Sequence, residues 1–412
     1  MIKRANVILF LIALTAVKLF SQKPDTNAAH AVDSGFINVD GGKLFYEATG
    51  EGENIVLLHD GMVHREIWDE QFPVLAKSYR VVRYDRRAYG KSSDPGAPYS
   101  HIEDLNQVFI QLKIGKAIIF GMSSGGGIAI DYTLKYPSKV SALVLVGAVV
   151  SGYGYSSYMF TRGGHLKSLS ELSDPQKAIK YMVWEDPYEI YSENTRAKKK
   201  VAKLLETNQH QETGGYSKPA ERPAARFLSE IKVPALVLVG EYDIPDVHAH
   251  AGVIEFGISN AKREIILKSG HLIPLEQPEA FNESVLKFLK NMEFFSILDS
   301  QGVDAAVQYF NVTHQFEPNT ILFREQEMNL LGYRFLHNGK TKDAIKLFKL
   351  NTIAFPDSGN VFDSLGEAYM KDGQDDLAIR NYERSVELDP ENEKAKTMLK
   401  ELKAKNKTFS IP

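Results

Sequence analysis

A serine between glycines is the residue whose surroundings point most directly to chemistry. The sequence Gly-Met-Ser-Ser-Gly at residues 121–125 follows an apolar run and precedes the helical stretch 126–136. A turn this tight between a strand and a helix needs glycines where neighbouring elements approach each other. It raises the Ser123 hydroxyl above the sheet at the N-terminus of the helix, where backbone N–H groups point outward. The spacing predicts a nucleophilic serine.

Two further residues have the types and the order that such a serine requires. A serine hydroxyl is a poor nucleophile at neutral pH, so a general base must take its proton. Asp243 follows the apolar run 233–240. His271 follows the run 264–267, so both side chains are expected at the edge where parallel strands end. We expect His271 to be the general base and Asp243 to fix its tautomer, with Asp246 as the alternative acid.

The negative charge that develops during attack needs two N–H donors. One is the backbone N–H of Ser124, the residue after the nucleophile. The other is expected in the loop that follows the run 55–58, and we assign it to the backbone N–H of Met62. His59, at the start of this loop, is interpreted as a structural hydrogen-bonding residue.

The elements that must position these residues are short apolar runs that alternate with helical stretches. Most of the runs are apolar on both faces, which is typical of parallel strands buried between layers of helices. The alternation predicts an α/β fold. The predicted strands are 35–39, 43–47, 55–59, 80–84, 117–121, 142–147, 233–240 and 264–267, and the predicted helices include 102–114 and 126–136.

The strand pattern disappears between Gly147 and Ile231, where helical spacing occurs at 176–183 and 195–207. An insertion of this size between two strands predicts a helical cap at about residues 148–230. A solvated insertion without a role in the site is the alternative. Four residues at its start are expected either to line an apolar pocket or to pack the cap: Tyr153, Tyr155, Tyr158 and Met159.

A repeat follows a helix that is predicted over residues 278–292. The residues Leu331, Gly332, Gly339, Ala344, Phe348 and Pro356 recur 34 positions later as Leu365, Gly366, Gly373, Ala378, Tyr382 and Pro390. This pattern resembles the tetratricopeptide repeat over about residues 295–405, although the first clear copy lacks the usual early aromatic residue. The resemblance implies paired helices and a protein or peptide partner. A weaker copy is expected at Gly302, Ala306, Phe310 and Pro318, and a capping helix at 391–402.

The N-terminus has the pattern of an export signal. Lys3 and Arg4 precede an apolar run over 7–20, and a polar stretch opens at Ser21. The run is shorter than the roughly 20 residues that span a bilayer. We expect a signal peptide at residues 1–22, cleaved on export to the periplasm or the exterior. A retained membrane anchor and a buried helix are the alternatives.

Composition excludes several classes of site. The chain has no cysteine, which removes disulfides, thiolate catalysis and cysteine-ligated zinc. A net charge of -3 gives no electrostatic case for nucleic acid. His248 and His250 lack further ligands at a fixed spacing, so we expect exposed positions and no metal. The lysines at 198–200 are expected on a solvated helix face.

Several segments together resemble the α/β-hydrolase superfamily, in the branch of enol-lactonase-like, C–C-bond and ester hydrolases. They are 59–61, 68–71, 84–92, 121–125, 240–243, 270–271 and 276–278. The resemblance covers about residues 36–292 and implies a hydrolase domain at 34–293, followed by the all-α repeat domain at 295–405. Ala88 departs from the pattern, which usually has glycine there. Serine at position 123 argues against the dehalogenases and epoxide hydrolases, which need a carboxylate nucleophile.

The sequence thus favours an exported serine hydrolase that cleaves small carboxylic esters or lactones through an acyl-enzyme and needs no cofactor. Two alternatives remain open. The first is a partner-binding protein that uses the repeats and keeps the hydrolase domain as a non-catalytic scaffold. The second is a C–C hydrolase or perhydrolase that uses the same triad.

Overall fold

The computed structural model of the chain describes residues 31–161, 174–185, 193–208 and 216–408. The predicted signal peptide lies outside these residues, as do residues 162–173, 186–192 and 209–215 of the predicted cap. The chain forms two compact units that divide between Glu283 and Ser284. Within the described ranges, no helix is long and apolar enough to cross a membrane.

The first unit is built on one eight-stranded sheet. Its strand order is β1-β2-β4-β3-β5-β6-β7-β8. β2 is antiparallel to both its neighbours, β1 and β4, and every other pair is parallel. The predicted α/β class is confirmed, and each predicted strand has a counterpart. The strands are β1 Asp33–Val39, β2 Gly42–Thr49, β3 Asn54–Leu58, β4 Arg80–Tyr84, β5 Ala117–Met122, β6 Val140–Val146, β7 Ala235–Gly240 and β8 Ala261–Ile266.

Helices connect and cover these strands. The longer ones are α1 His101–Gln111, α2 Ser124–Lys135, α3 Thr195–Thr207, α4 Pro245–Gly257 and α5 Pro278–Gln301, which contains the boundary between the units. Shorter helical segments are Arg65–Trp68, Phe72–Leu75, Pro137–Lys139, Ser157–Thr161, Pro175–Lys180, Tyr181–Glu185, Ala224–Arg226, Leu228–Glu230 and Ile273–Glu276. Every residue of β5 and β7 is buried, which explains why these strands show no alternation of polar and apolar residues.

The second unit consists of helices. They are α6 Val303–Phe316, α7 Glu325–His337, α8 Thr341–Ala354, α9 Gly359–Lys371, α10 Asp375–Leu388 and α11 Glu393–Thr408. A Cβ on Gly332 would lie 2.5 Å from the Phe348 ring, and one on Gly366 would lie 3.2 Å from the Tyr382 ring. Each glycine therefore lets an aromatic ring pack closely against the first helix of its pair, which accounts for their recurrence at the same spacing.

One predicted helix end is wrong. The sequence predicted that the helix beginning at Pro278 ends at residue 292, whereas α5 continues to Gln301. Phe294 and Leu298 extend its apolar spacing, and both are buried in a cluster that includes Phe310 and Phe323. This burial stabilises the additional turns, because helical stability in proteins comes mainly from packing an apolar face.

A partly buried carboxylate on α2 makes stability depend on pH. Asp131 accepts a hydrogen bond of 2.7 Å from the Ser151 hydroxyl, and burial raises its pKa to about 6. The folded state therefore holds this proton more tightly than the unfolded state, whose carboxyl has a pKa of 3.8. It follows that the penalty for ionising Asp131 grows as the pH rises from 3.8 to about 6 and is complete above that range.

We expect Asp131→Asn to raise the free energy of unfolding by about 2 kcal/mol at pH 7.5 and to change it little at pH 3.5. The amide still accepts the Ser151 hydrogen bond but carries no charge. Urea unfolding at both pH values measures the difference, with Glu51→Gln, a change at an exposed carboxylate, as the control. An equal effect of Asp131→Asn at both pH values would contradict the explanation.

Candidate active site

Ser123 lies in a strained turn between β5 and α2. Its backbone has φ 51° and ψ −118°, a conformation that is costly for a residue with a side chain. A Cβ on Gly125 would lie 2.4 Å from the His59 carbonyl oxygen, and one on Gly121 would lie 2.5 Å from the Gly125 carbonyl oxygen. Only glycine fits at these two positions. The predicted role of the glycines around Ser123 therefore agrees with the observed turn.

Asp243 and His271 are hydrogen-bonded to each other. Asp243 follows β7, His271 lies in the loop after β8, and 2.8 Å separates His271 Nδ1 from Asp243 Oδ2. The other carboxylate oxygen, Oδ1, accepts a bond of 2.8 Å from the backbone N–H of Ile244. An ionised carboxylate is only an acceptor, so His271 carries its proton on Nδ1 and leaves Nε2 as the basic nitrogen.

The end of β6 connects this pair to the serine. The Ser123 N–H donates to the Val146 carbonyl oxygen at 2.8 Å. The next residue, Gly147, has φ 51°, and a Cβ on it would lie 3.0 Å from His271 Nδ1 and 3.4 Å from Asp243 Oδ2. The three predicted triad residues are therefore arranged around the end of one central strand.

We expect Gly147→Ala to lower kcat for the hydrolysis that the sequence predicts by about 10²-fold. The new methyl group forces the His271 ring away from its present position, and displacements of this kind disrupt proton transfer. Gly339→Ala is the control, since Gly339 also has a positive φ of 74° but has no atom within 4 Å of a new Cβ. A similar loss of activity in both variants would show that destabilisation of the protein by a strained backbone, and not a displaced His271 ring, is responsible.

The loop that contains Met62 lies beside Ser124, the residue after Ser123. A Cβ on Gly61 would lie 3.2 Å from the Ser124 hydroxyl oxygen. Two bonds shape this loop: Asp60 Oδ1 accepts from the backbone N–H of Val63 at 2.9 Å, and the Tyr89 hydroxyl donates to the Gly61 carbonyl oxygen at 2.9 Å. The Tyr89 bond holds the same peptide group that carries the Met62 N–H.

His59 makes structural hydrogen bonds in the interior. Its Nε2 accepts from the backbone N–H of Arg86 at 2.9 Å, and its Nδ1 lies 2.7 Å from the Asp60 carbonyl oxygen. Nδ1 is therefore the protonated nitrogen and the donor to Asp60. Burial lowers the pKa of His59 well below its usual value, so the ring stays neutral. This agrees with the structural role that the sequence predicted.

Asp85, the residue after β4, holds the segment that follows the Met62 loop. Asp85 accepts hydrogen bonds from the Arg65 backbone N–H at 3.1 Å, the Arg65 guanidinium at 2.9 Å and the Lys91 N–H at 2.9 Å. Ala88 has φ 64°, so it adopts the left-handed conformation that glycine would adopt more easily. Alanine adopts this conformation at a cost of roughly 1 kcal/mol.

The alternative acid and the histidine pair have other partners. Asp246 lies in the first turn of α4 and accepts from the backbone N–H and the hydroxyl of Ser156, whereas Asp243 is the carboxylate that contacts His271. His248 is half-buried. The predicted exposure of His250 is wrong, because its ring is buried and its Nδ1 accepts from the Val150 N–H at 3.0 Å. The described parts of the chain contain no group of three residues suited to hold a metal ion.

Residues at the start of the predicted cap divide into two pairs. Tyr158 and Met159 are partly buried against the sheet core. The rings of Tyr153 and Tyr155 lie 4.9 and 5.0 Å from that of His250, and each tyrosine remains more than a third exposed. The first pair therefore packs the cap, while the second pair offers aromatic surface near its start.

The predicted solvated lysine face is partly wrong. Lys199 is exposed and Lys200 is half-buried, but Lys198 is buried, with its ammonium group 5.5 Å from the centre of the Trp184 ring. An aliphatic stem can be buried while the charge contacts an aromatic face.

No individual role was predicted for Glu276. Its carboxylate accepts from the backbone N–H groups of Gly270 and Leu272.

Comparisons with known proteins agree with this architecture. A family model described as the alpha/beta hydrolase fold matches residues 54–278. The 2-hydroxy-6-oxononadienedioate/2-hydroxy-6-oxononatrienedioate hydrolase of Escherichia coli K12 is 30% identical over an aligned length of 293 residues, and the match covers 65% of this chain and 99% of that protein. The 2-hydroxy-6-oxo-6-(2'-aminophenyl)hexa-2,4-dienoic acid hydrolase of Metapseudomonas resinovorans is 27% identical over an aligned length of 269 residues, and the match covers 62% of this chain and 90% of that protein.

Solved structures show the same likeness for the first unit. An esterase from Exiguobacterium antarcticum has a TM-score of 0.52 at 26% identity and covers 63% of this chain and 100% of its own. The enol-lactonase from Burkholderia xenovorans LB400 has a TM-score of 0.52 at 24% identity, with coverages of 62% and 99%, and supports the fold alone. Since the family model matches more than half of its residues, this chain belongs to the α/β-hydrolase family.

Proposed function

We propose that this protein is a serine hydrolase that cleaves carboxylic esters or lactones through Ser123, His271 and Asp243. The observation that carries the proposal is the 2.8 Å bond between His271 and Asp243, at the end of the strand whose last residue accepts the Ser123 N–H. A scaffold protein has no physical need for a buried carboxylate that fixes a histidine tautomer beside a strained serine.

The geometry supports a two-step reaction. His271 Nε2 takes the proton of the Ser123 hydroxyl as its oxygen attacks the acyl carbon, and the resulting imidazolium is stabilised by Asp243. The imidazolium then donates this proton to the departing alkoxide, which leaves an acyl-enzyme. In the second step His271 takes a proton from water, the hydroxide attacks the acyl carbon, and Ser123 recovers its proton as the acid leaves.

The charge on the carbonyl oxygen is stabilised by two backbone donors in this proposal, the N–H groups of Met62 and Ser124. Two features support this assignment. Ser124 is the first residue of α2, so its N–H belongs to the positive end of a helix of 12 residues. The peptide group that carries the Met62 N–H is held through the Gly61 carbonyl oxygen by the Tyr89 hydroxyl.

A panel of p-nitrophenyl esters and simple lactones tests the proposal, together with a fluorophosphonate probe that reacts with activated serines. We expect hydrolysis of part of the panel and covalent labelling of the peptide that contains Ser123. A protein that hydrolyses no ester or lactone and leaves the probe unreacted would overturn the proposal and would favour the non-catalytic scaffold.

Cleavage of a carbon–carbon bond by the same triad is the second candidate. It is favoured by the 30% identity to the E. coli hydrolase named for 2-hydroxy-6-oxononadienedioate. Incubation with a 2-hydroxy-6-oxo-dienoate, followed by loss of its absorbance, distinguishes the two reactions. Turnover of the dienoate at a much higher kcat/KM than any ester would make this the principal activity.

We also propose that the chain is exported and that its helical unit binds a protein or peptide. Export is supported by Lys3 and Arg4 before the apolar run at the N-terminus. Partner binding is supported by helix pairs with the spacing of the tetratricopeptide repeat, in which α9 and α10 follow α7 and α8 at the same interval. N-terminal sequencing of protein from the periplasmic fraction tests export, with a mature end near Gln22 as the expected result.

A further inference from the structure

A buried carboxylate holds the backbone of the loop that carries His271. Glu276 is only 4% exposed, and it ends the short helix Ile273–Glu276. Its Oε2 accepts from the backbone N–H of Gly270 at 2.9 Å and its Oε1 from that of Leu272 at 3.0 Å. These are the residues on either side of His271, so the carboxylate fixes the backbone that carries the imidazole.

The N-terminal end of α3 is hydrogen-bonded to Glu276. Asn194 is the N-cap of the helix, where its side-chain oxygen accepts from the Ala197 N–H at 3.0 Å. The amide nitrogen of the same side chain donates to the backbone carbonyl oxygen of Glu276 at 2.8 Å. One asparagine therefore both starts the helix and connects it to the residue that holds the His271 loop.

The other end of α3 is attached to the loop that contains Met62. Asn208, the C-cap, is 4% exposed. Its side-chain oxygen accepts from the Gly90 N–H at 3.0 Å, and its amide nitrogen lies 3.4 Å from the Met62 carbonyl oxygen, to which it donates. Gly90 follows Tyr89, whose hydroxyl holds the neighbouring peptide of the same loop. Asn208 therefore connects both segments that determine where the Met62 N–H points.

We propose that α3 is a positioning helix for the active site, with Asn194 and Asn208 as positioning residues for the general base and the oxyanion donor, respectively. This inference rests on the proposed function. A helix of 13 residues is about 20 Å long, enough to connect loops on two sides of a site. Its buried face includes Ala197, Val201, Leu204 and Leu205, which keep it rigid against the unit.

The chemistry requires such support because neither group can act unless it is correctly positioned. A backbone donor stabilises an oxyanion only where its hydrogen points at the developing charge, and a base accepts a proton only within hydrogen-bonding reach. On this proposal α3, which lies in the part of the chain inserted between β6 and β7, has a role in catalysis. A change at either end of α3 is expected to alter one catalytic group and spare the other.

Asparagine-to-aspartate exchange tests each connection with little change of shape. Asn208→Asp keeps the acceptor for the Gly90 N–H but removes the donor to Met62, and Asn194→Asp keeps the helix cap but removes the donor to Glu276. Asn351→Asp is the matched control, because Asn351 is buried like Asn208 and also donates to a carbonyl oxygen, that of Glu325 at 3.0 Å, but it belongs to the second unit. Active sites are counted with the fluorophosphonate probe, so that a misfolded fraction does not lower the apparent kcat.

For Asn208→Asp we expect kcat per active site to fall on the order of 10-fold with KM nearly unchanged, less than the 10²–10³-fold effect of removing an oxyanion donor. A boronic acid, which mimics the tetrahedral intermediate, should bind more weakly by a similar factor. For Asn194→Asp we expect a shifted downfield proton resonance of His271 Nδ1–H and a changed pH profile of kcat/KM. The control should match the wild-type protein in all of these measurements.

Unchanged kcat per active site, boronate affinity and His271 resonance, accompanied only by a lower melting temperature, would overturn the inference. Failure of the proposed function has a different signature. In that case the wild-type protein itself hydrolyses nothing, while the His271 resonance still shows whether Asn194 positions the imidazole. A wild-type protein that is active and insensitive to both exchanges refutes only the role of α3.

Discussion

Replacing Ser123 by alanine should lower kcat for ester hydrolysis by about 10⁴-fold or more. The change removes the atom that forms the acyl-enzyme, while His271, Asp243 and the backbone donors remain. The residual rate then comes only from binding and from the oxyanion donors acting on attack by water. Because alanine has a smaller side chain in the same strained turn, folding should be unaffected.

Steady-state hydrolysis of the best ester and labelling by the fluorophosphonate probe measure this effect. Ser141→Ala is the control, since Ser141 lies at the start of β6 and its hydroxyl donates to Glu53 at 3.0 Å. The control should keep both activity and labelling. Labelling that survives in Ser123→Ala would show that another residue is the nucleophile.

The sheet and the turn at Ser123 were predictable because their signals are local. β5 and β7 are buried on both faces, so their sequences are continuous apolar runs, and the turn at Ser123 needs glycines within a few residues of the serine. The order of Asp243 and His271 along the chain added a second constraint. The strands and the turn depend on near neighbours in the sequence, and the order of Asp243 and His271 depends only on their places along the chain. All of these features could therefore be recognised from the sequence.

The features that were missed depend on residues far apart in the chain. His250 is buried because it accepts from Val150, 100 positions earlier, and Asn208 contacts Met62 across 146 positions. Nothing near either residue in the sequence indicates such a partner. The N-cap role of Asn194 is predictable, because asparagine is a favoured N-cap. Its bond to Glu276 could not be inferred from that preference.

The choice of acid at the site can be tested by a pair of variants three positions apart. Asp243→Asn should lower kcat by about 10⁴-fold near pH 7, whereas Asp246→Asn should change it by no more than about threefold. The carboxylate of Asp246 accepts only from Ser156 in the hydrogen bonds described above, and an amide retains an acceptor for that residue.

The large effect at position 243 follows from the direction of two hydrogen bonds. Asp243 Oδ1 accepts from the Ile244 N–H at 2.8 Å, so in Asp243→Asn the amide oxygen keeps that bond and the amide nitrogen faces His271. An amide nitrogen is a donor, and His271 Nδ1 must then accept. The imidazole proton moves to Nε2, where it prevents that nitrogen from taking the Ser123 proton.

Kinetics and proton resonances of both variants separate this explanation from a simple loss of charge. In Asp243→Asn we expect the downfield Nδ1–H resonance of His271 to disappear while the thermal unfolding remains cooperative. In Asp246→Asn the resonance should persist. If Asp246→Asn instead abolished turnover and Asp243→Asn were nearly neutral, the acid of the triad would be Asp246, and the 2.8 Å bond between Asp243 and His271 would be structural and without a part in catalysis.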